Sequence, residues 1–126
     1  MPSPTPLEAP VKYMLLIYTN PENWGALSEA ETKELTDEYF AFTQRITESG
    51  EFVAGDALRP PDTANVVRVR GGGRAVSDGP YVETKEHLAG YYVVDCAGLD
   101  RALELAAEIP DVRFGGVEVR PVADYG

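Results

Sequence analysis

The sequence has very little cysteine and histidine. Cys96 is its single cysteine and His87 its single histidine among 126 residues. One cysteine cannot form a disulfide within the chain, which suits a reducing compartment, and the paired Cys and His ligands of a structural zinc site are missing. Cys96 ends an apolar strand pattern, so we expect a small buried side chain there. A cytoplasmic protein that needs no metal or other cofactor is therefore expected.

Long apolar runs and an excess of positive charge are also missing. No stretch approaches the roughly 20 apolar residues of a membrane-spanning helix. The 11 Lys and Arg residues are outnumbered by 21 Asp and Glu residues, which gives a net charge of −10. Such a surface repels phosphate backbones and anionic lipids, so we expect neither nucleic acid nor a membrane as a partner.

The length and the N-terminal composition predict one domain after a short arm. Residues 1–10 are rich in proline and lack the basic and apolar regions of a signal peptide. We expect a disordered arm over 1–10 and a single domain over 11–126, which is long enough to bury a core.

The first part of the domain predicts a strand and then a helix. Residues 11–19 (VKYMLLIYT) are apolar on both faces and are followed by Asn20-Pro21, which is typical of a strand and its end. Ser28 and Glu31 have the spacing of a capping box. A helix is expected from there to about Ser49, with an inner stripe of Leu35, Tyr39, Phe42 and Ile46.

The rest of the domain predicts strands, a hairpin and a second helix. We expect strands at 51–58, 88–95 and 116–122, a hairpin of 65–70 and 74–77 around the glycines at 71–73, and a helix at 99–109. Alternation in the hairpin predicts that Val67 and Val69 face inward while Arg68 and Arg70 face outward. The expected inner stripe of the second helix is Leu99, Ala102, Leu103 and Ala106.

This order of elements predicts an α+β protein, a ferredoxin-like βαββαβ sandwich with an inserted hairpin. Right-handed crossovers place both helices on one face of the sheet. The strands at 11–19 and 88–95 are nevertheless apolar on both faces, and a large exposed apolar patch is rare in monomers. We therefore expect a homodimer whose sheets pack face to face as a dimeric α/β-barrel.

Several stretches of the chain resemble one known family. The most specific is the block at 78–86, DGPYVETKE. Softer matches are YMLLIY at 13–18, VAG at 53–55 before a Pro-Pro pair, GYY at 90–92, AL at 102–103 and VEVRP at 117–121. On these residues the chain resembles the YCII-related family, in the branch named for its Asp-Gly-Pro-Phe motif, from Lys12 to Val122. Tyr81 stands where that branch usually has phenylalanine.

The resemblance implies a dimeric α/β-barrel but no known reaction. Members of this branch are often encoded beside extracytoplasmic-function sigma factors. Some members of the wider superfamily resemble dehydrochlorinase-type lyases that use a His–Asp pair, whose histidine belongs to the first helix. Residues 27–49 contain no histidine, so that pair cannot be transferred to this chain.

The block at 78–86 and the residue after it supply the candidate site residues. Asp78 opens a turn, and its carboxylate either stabilises that turn or points into a cleft as an acid or base. Glu83, Thr84 and Lys85 either bind a ligand or form a solvated loop. His87 is of the one residue type whose ordinary pKa, about 6.5, suits proton transfer near neutrality, although a surface histidine is the simpler interpretation.

The aromatic residues of the chain allow two interpretations. Tyr18, Trp24, Tyr39, Tyr81 and Tyr92 could line a pocket, or they could pack in the core or an interface.

Two functional hypotheses follow. The first hypothesis is a module that binds or converts a small polar or anionic ligand near the dimer seam, with lyase-like acid/base chemistry and with Tyr18 and Tyr81 among the binding residues. The alternative is a non-enzymatic regulatory or adaptor protein linked to sigma-factor-dependent transcription, which would leave the 78–86 block flat and exposed.

Overall fold

Six strands and three α-helices follow one another in the computed structural model, which describes residues 11–82 and 84–124. They are β1 (Val11–Thr19), α1 (Pro21–Gly25), α2 (Glu29–Glu48), β2 (Phe52–Ala57), β3 (Asn65–Arg70), β4 (Gly73–Asp78), β5 (His87–Cys96), α3 (Leu99–Ala107) and β6 (Gly116–Pro121). Short 3₁₀ turns lie at Pro61–Thr63 and Pro110–Arg113. Within these ranges no helix has the length and apolarity needed to cross a membrane.

Four strands form an antiparallel sheet in the order β2-β5-β1-β6, and β3 and β4 form a separate two-stranded ribbon. Leu15 of β1 lies opposite Tyr92 of β5 on one side and Val119 of β6 on the other. Once the ribbon is left out, this order and direction are those of the ferredoxin-like α+β fold, which confirms the predicted fold class.

The core lies on one face of this sheet, beneath α2 and α3. Leu15 and Val94 of the sheet, Phe42 of α2 and Leu105 of α3 are fully buried there. Helix α2 begins as predicted, because Ser28 accepts a hydrogen bond from the Glu31 amide and the Glu31 carboxylate accepts one from the Ser28 amide. Cys96 is buried in the same core, as expected.

The opposite face of the sheet, which we call the open face, carries no helix among the described elements. Its residues include Met14, Leu16 and Tyr18 from β1 and Tyr91 and Val93 from β5, all half-buried. The alternation predicted for these two strands is therefore observed, with one apolar set in the core and a second apolar set on the open face.

The predicted faces of the hairpin are wrong. Val67 and Val69 are 58% and 65% exposed, and Val66 is the buried valine of β3. The two glycines of its turn, Gly71 and Gly72, have positive φ as a tight hairpin requires. The ribbon is not part of the four-stranded sheet, and nearly all of its residues are exposed on both faces, so burial does not follow the alternation of the sequence.

Two helical predictions also need correction. In α3, Leu105 is buried with Ala102 and Ala106, whereas Leu99 and Leu103 are about half exposed. Two overlapping apolar stripes run along this nine-residue helix, and both contain the same alanines, so the pattern alone selected the wrong leucines. Helix α1 was not predicted, because Asn20 and Pro21 were interpreted only as the end of β1.

Candidate functional site

Four of the five predicted site residues in the 78–86 block lie on the surface of the single chain. Asp78 is the exposed last residue of β4, and its Oδ1 lies 3.5 Å from Asn65 Nδ2, a weak contact between side chains. Tyr81 is 72% exposed, with the Arg68 guanidinium 4.9 Å from its ring centroid. Thr84 and Lys85 are exposed as well, and Glu83 lies outside the described residues.

The two remaining predicted residues lie on different surfaces. Tyr18 is on the open face of the sheet, between Leu88 of β5 and Gly116 of β6. His87 begins β5 opposite Thr19, and it lines a cavity on the helix side of the sheet. The structure therefore does not bring the predicted residues together, and their functional roles stay predictions.

A concave cavity of about 530 Å³ opens between the helix side of the sheet and helices α1 and α2. Its walls are mostly apolar and aromatic, and we call it the Asp111 cleft after its most buried carboxylate. Its lining includes Trp24, Tyr39, Thr43, Phe52, Tyr92 and Asp111. Three of the five aromatic residues proposed from the sequence, namely Trp24, Tyr39 and Tyr92, line it.

Asp111 is the polar centre of the cleft. It lies in the 3₁₀ turn after α3 and is only 3% exposed. Its Oδ1 accepts a hydrogen bond from Trp24 Nε1 at 2.9 Å, and its Oδ2 accepts one from the Tyr39 hydroxyl at 2.5 Å. Each carboxylate oxygen therefore accepts a hydrogen bond, which offsets the free-energy cost of burying a charge.

The two tyrosine hydroxyls of the cleft have different surroundings. Burial raises the pKa of Tyr39, and the hydrogen bond to Asp111 raises it further, so this phenol stays protonated. The Tyr92 hydroxyl lies 2.7 Å from Thr43 Oγ1, and either oxygen can be the donor. Burial raises the pKa of Tyr92, while the contact with Thr43 lowers it.

A glycine shapes the wall that carries Tyr92. A Cβ at Gly55 would lie 2.8 Å from Tyr92 Cδ1 and 3.1 Å from the Tyr91 carbonyl oxygen. The absence of a side chain in this part of β2 therefore allows the Tyr92 ring to lie against the strand, where its edge also meets Phe42 at 5.1 Å between ring centroids. The backbone of β2 and the ring of Phe42 therefore hold the Tyr92 ring from two sides.

Sequence reasoning missed Asp111. The residue stands between Pro110 and Val112, and the pattern at this point was interpreted only as the end of the second helix. A signal was present, because an acidic residue in the apolar run Ile109 to Val112 has to find partners if the run is buried. That signal does not identify Trp24 and Tyr39, which lie 87 and 72 positions away.

The described residues hold no cluster of three or more His, Cys, Asp or Glu side chains that could bind a metal ion.

Comparison with known proteins gives two matches. The model of the YCII-related domain matches residues 11–125. An uncharacterised protein of Rhizobium meliloti is 35% identical over 115 residues, which cover 90% of this chain and 93% of that protein.

Proposed function

We propose that this protein, which belongs to the YCII-related domain family, binds a small, mostly apolar organic molecule in the Asp111 cleft. The observation that carries the proposal is the cleft itself, about 530 Å³ with aromatic walls and a few polar groups. Ligand sites in proteins have this size range and this composition. Flat rings such as Trp24 and Tyr92 favour a planar ligand.

A pair of substitutions on α2 tests this proposal. Thr36 lines the cleft, whereas Thr47 is exposed on the same helix. Thr36→Phe places a phenyl group in the cleft, and Thr47→Phe adds the same group outside it. We expect native mass spectrometry to find a co-purified small molecule on the wild type and on Thr47→Phe, but not on Thr36→Phe.

Other results of this experiment would contradict binding in the Asp111 cleft. Loss of the molecule from both variants, or its retention by Thr36→Phe, would place the binding site elsewhere. A wild-type protein that carries no small molecule, and binds none in a ligand-observed NMR screen, would contradict the proposal. It would favour the adaptor alternative, which is supported by the exposure of Asp78, Tyr81 and Lys85.

Proton transfer is a second candidate function, and His87 favours it. This histidine lines the same cleft and is held opposite Thr19 by the pairing of β1 and β5. A histidine beside a bound ligand can remove or return a proton near neutral pH. The lyase-like chemistry proposed from the sequence assigned this role first to Asp78, which lies outside the cleft in the single chain.

Deuterium exchange distinguishes these two residues. A lyase-type reaction begins with removal of a carbon-bound proton, so the co-purified molecule should gain deuterium when it is incubated with the protein in heavy water. We expect His87→Gln to abolish the gain and Asp78→Asn to leave it unchanged. The opposite result would restore Asp78 as the acid/base residue, and no gain with the wild type would contradict catalysis of this kind.

We also propose that two copies of the chain pack through the open face. The half-buried apolar residues Met14, Leu16 and Val93 on this face support the proposal, since water would otherwise contact them. Within the described residues, Asp95 Oδ1 is a buried oxygen that has no hydrogen-bond partner. Asp95 lies opposite Lys12 at the end of the same face.

A further inference from the structure

The hydroxyl proton of Tyr39 is already used inside the cleft. It is donated to Asp111 Oδ2, while the other carboxylate oxygen is taken by the indole N–H of Trp24. A phenol has one proton and two lone pairs. The Tyr39 side chain lines the cleft, and its oxygen keeps lone pairs with which it can accept a hydrogen bond from a ligand.

The polar groups around the Tyr39 oxygen favour a ligand that donates a hydrogen bond at this end of the cleft. Asp111 is buried and close behind the Tyr39 oxygen, and its charge disfavours an anion there. The Tyr92 and Thr43 hydroxyls share one hydrogen bond between two protons, so this pair can both donate and accept. The ligand's polar group is therefore selected by Tyr39 rather than by Tyr92.

We propose that the cleft prefers neutral ligands that bring an O–H or N–H donor to the Tyr39 oxygen, and that it discriminates against carboxylates. This inference rests on the proposed function, and of the polar or anionic ligand expected from the sequence it keeps only the neutral polar one. A carboxylate has no proton to donate, so its oxygen would face the Tyr39 oxygen, a second acceptor, close to the charge of Asp111. Exposed Arg59 lines the same cleft and is the group that would favour an anion. The affinity of a carboxylate ligand therefore depends on whether attraction by Arg59 or repulsion by Asp111 is stronger.

Three probes with the same biphenyl body test the preference. They are para-phenylphenol, which carries a donor, para-methoxybiphenyl, which has only an acceptor, and biphenyl-para-carboxylate. A net hydrogen bond of about 1 to 1.4 kcal/mol corresponds to about a five- to tenfold difference in Kd. By isothermal titration calorimetry on the full-length wild type, we expect the phenol to bind about five- to tenfold more tightly than the ether or the carboxylate.

Two variants assign the preference to one oxygen. In Tyr39→Phe, the phenol and the ether should bind within about twofold of each other, because the oxygen that accepts the donor is gone. Tyr92→Phe, the control, removes the other hydroxyl and should keep the preference of the wild type. A preference that survives in Tyr39→Phe and disappears in Tyr92→Phe would overturn the inference.

The wild-type comparison decides the matter even if Tyr39→Phe does not fold. Equal affinities of the phenol and the ether, or a carboxylate that binds as tightly as the phenol, would overturn the inference while leaving a ligand-binding cleft in place. Failure of all three probes to bind would overturn the inference and also count against the proposed function. These results separate the failure of the donor preference from the failure of the cleft.

Discussion

At the scale of single residues, burial of the Asp111 carboxylate is unfavourable for the free energy of folding, and its two hydrogen bonds offset this effect. Asp111→Asn replaces one of the two acceptor oxygens by an NH₂ group, so either Trp24 or Tyr39 loses its acceptor. An unsatisfied buried donor costs about 1 to 3 kcal/mol. We expect the free energy of unfolding to fall by about that amount, measured by urea denaturation followed by circular dichroism.

The chain contains a matched control for this substitution. Asp62 also follows a proline at the start of a 3₁₀ turn, but it is exposed. Asp62→Asn should change the free energy of unfolding by less than about 0.5 kcal/mol, as is usual for surface substitutions. Equal effects of the two substitutions would show that the local turn, and not the contacts with Trp24 and Tyr39, gives Asp111 its importance.

The candidate site was predictable from the sequence only in part, and the reason is visible in these residues. Trp24, Tyr39 and Tyr92 were proposed as pocket residues because aromatic side chains line pockets in general. Tyr18 and Tyr81 satisfied the same criterion and lie elsewhere. Which ring reaches the cleft depends on the pairing of β1 with β5 and on the position of α2, which are tertiary features that no local pattern contains.

At the scale of elements, an ion pair links Glu51, the residue before β2, to α3. Arg101 donates from Nε and from its second terminal nitrogen to the two oxygens of Glu51, at 2.8 and 3.0 Å. The hydrogen bond from Arg101 lowers the pKa of Glu51 below the ordinary value of 4.5. Glu51 therefore stabilises the fold above about pH 4.5, and this contribution is lost as the pH falls through the lower pKa of the folded state.

Substitution of Glu51 tests this link. Glu51→Gln should lower the free energy of unfolding by about 1 kcal/mol at neutral pH, and the difference from wild type should shrink as the pH falls below about 4.5. Glu104→Gln is the control, since Glu104 accepts a single bond from the same Arg101 and is exposed. A Glu51→Gln deficit that stays constant in denaturation from neutral to acidic pH would rule out the ionised pair as its cause.

Elements whose burial follows their own periodicity were predicted well. Strand β1 was predicted with the bounds that it has, and α2 begins at the predicted capping box. The ribbon of β3 and β4 was predicted to exist, yet its inward face was assigned wrongly, because alternation shows that a strand has two faces and does not show what covers either one. Whether Val67 is buried depends on neighbours outside the ribbon.

At the scale of the whole molecule, the open face makes association of two copies the expected state. Leu16 and Val93 lie near the middle of this face, in adjacent paired strands. A glutamate there would bury a charge that has no partner in the seam between two sheets, which is strongly unfavourable. Leu16→Glu and Val93→Glu should therefore give monomers or aggregates in sedimentation velocity runs, whereas we expect the wild type to sediment as a dimer.

Phe40→Glu is the matched control for that experiment, because Phe40 is 70% exposed on α2, an element that packs on the other face of the sheet. It removes a larger apolar group than either test substitution and adds the same charge, so the dimer should persist. Wild-type protein that sediments as a stable monomer in dilute solution would contradict the proposed pairing, and so would dimers of undiminished stability from both open-face variants. In either case the open face would have to be stable in water by itself, and the apolar side chains on β1 and β5 would need another explanation.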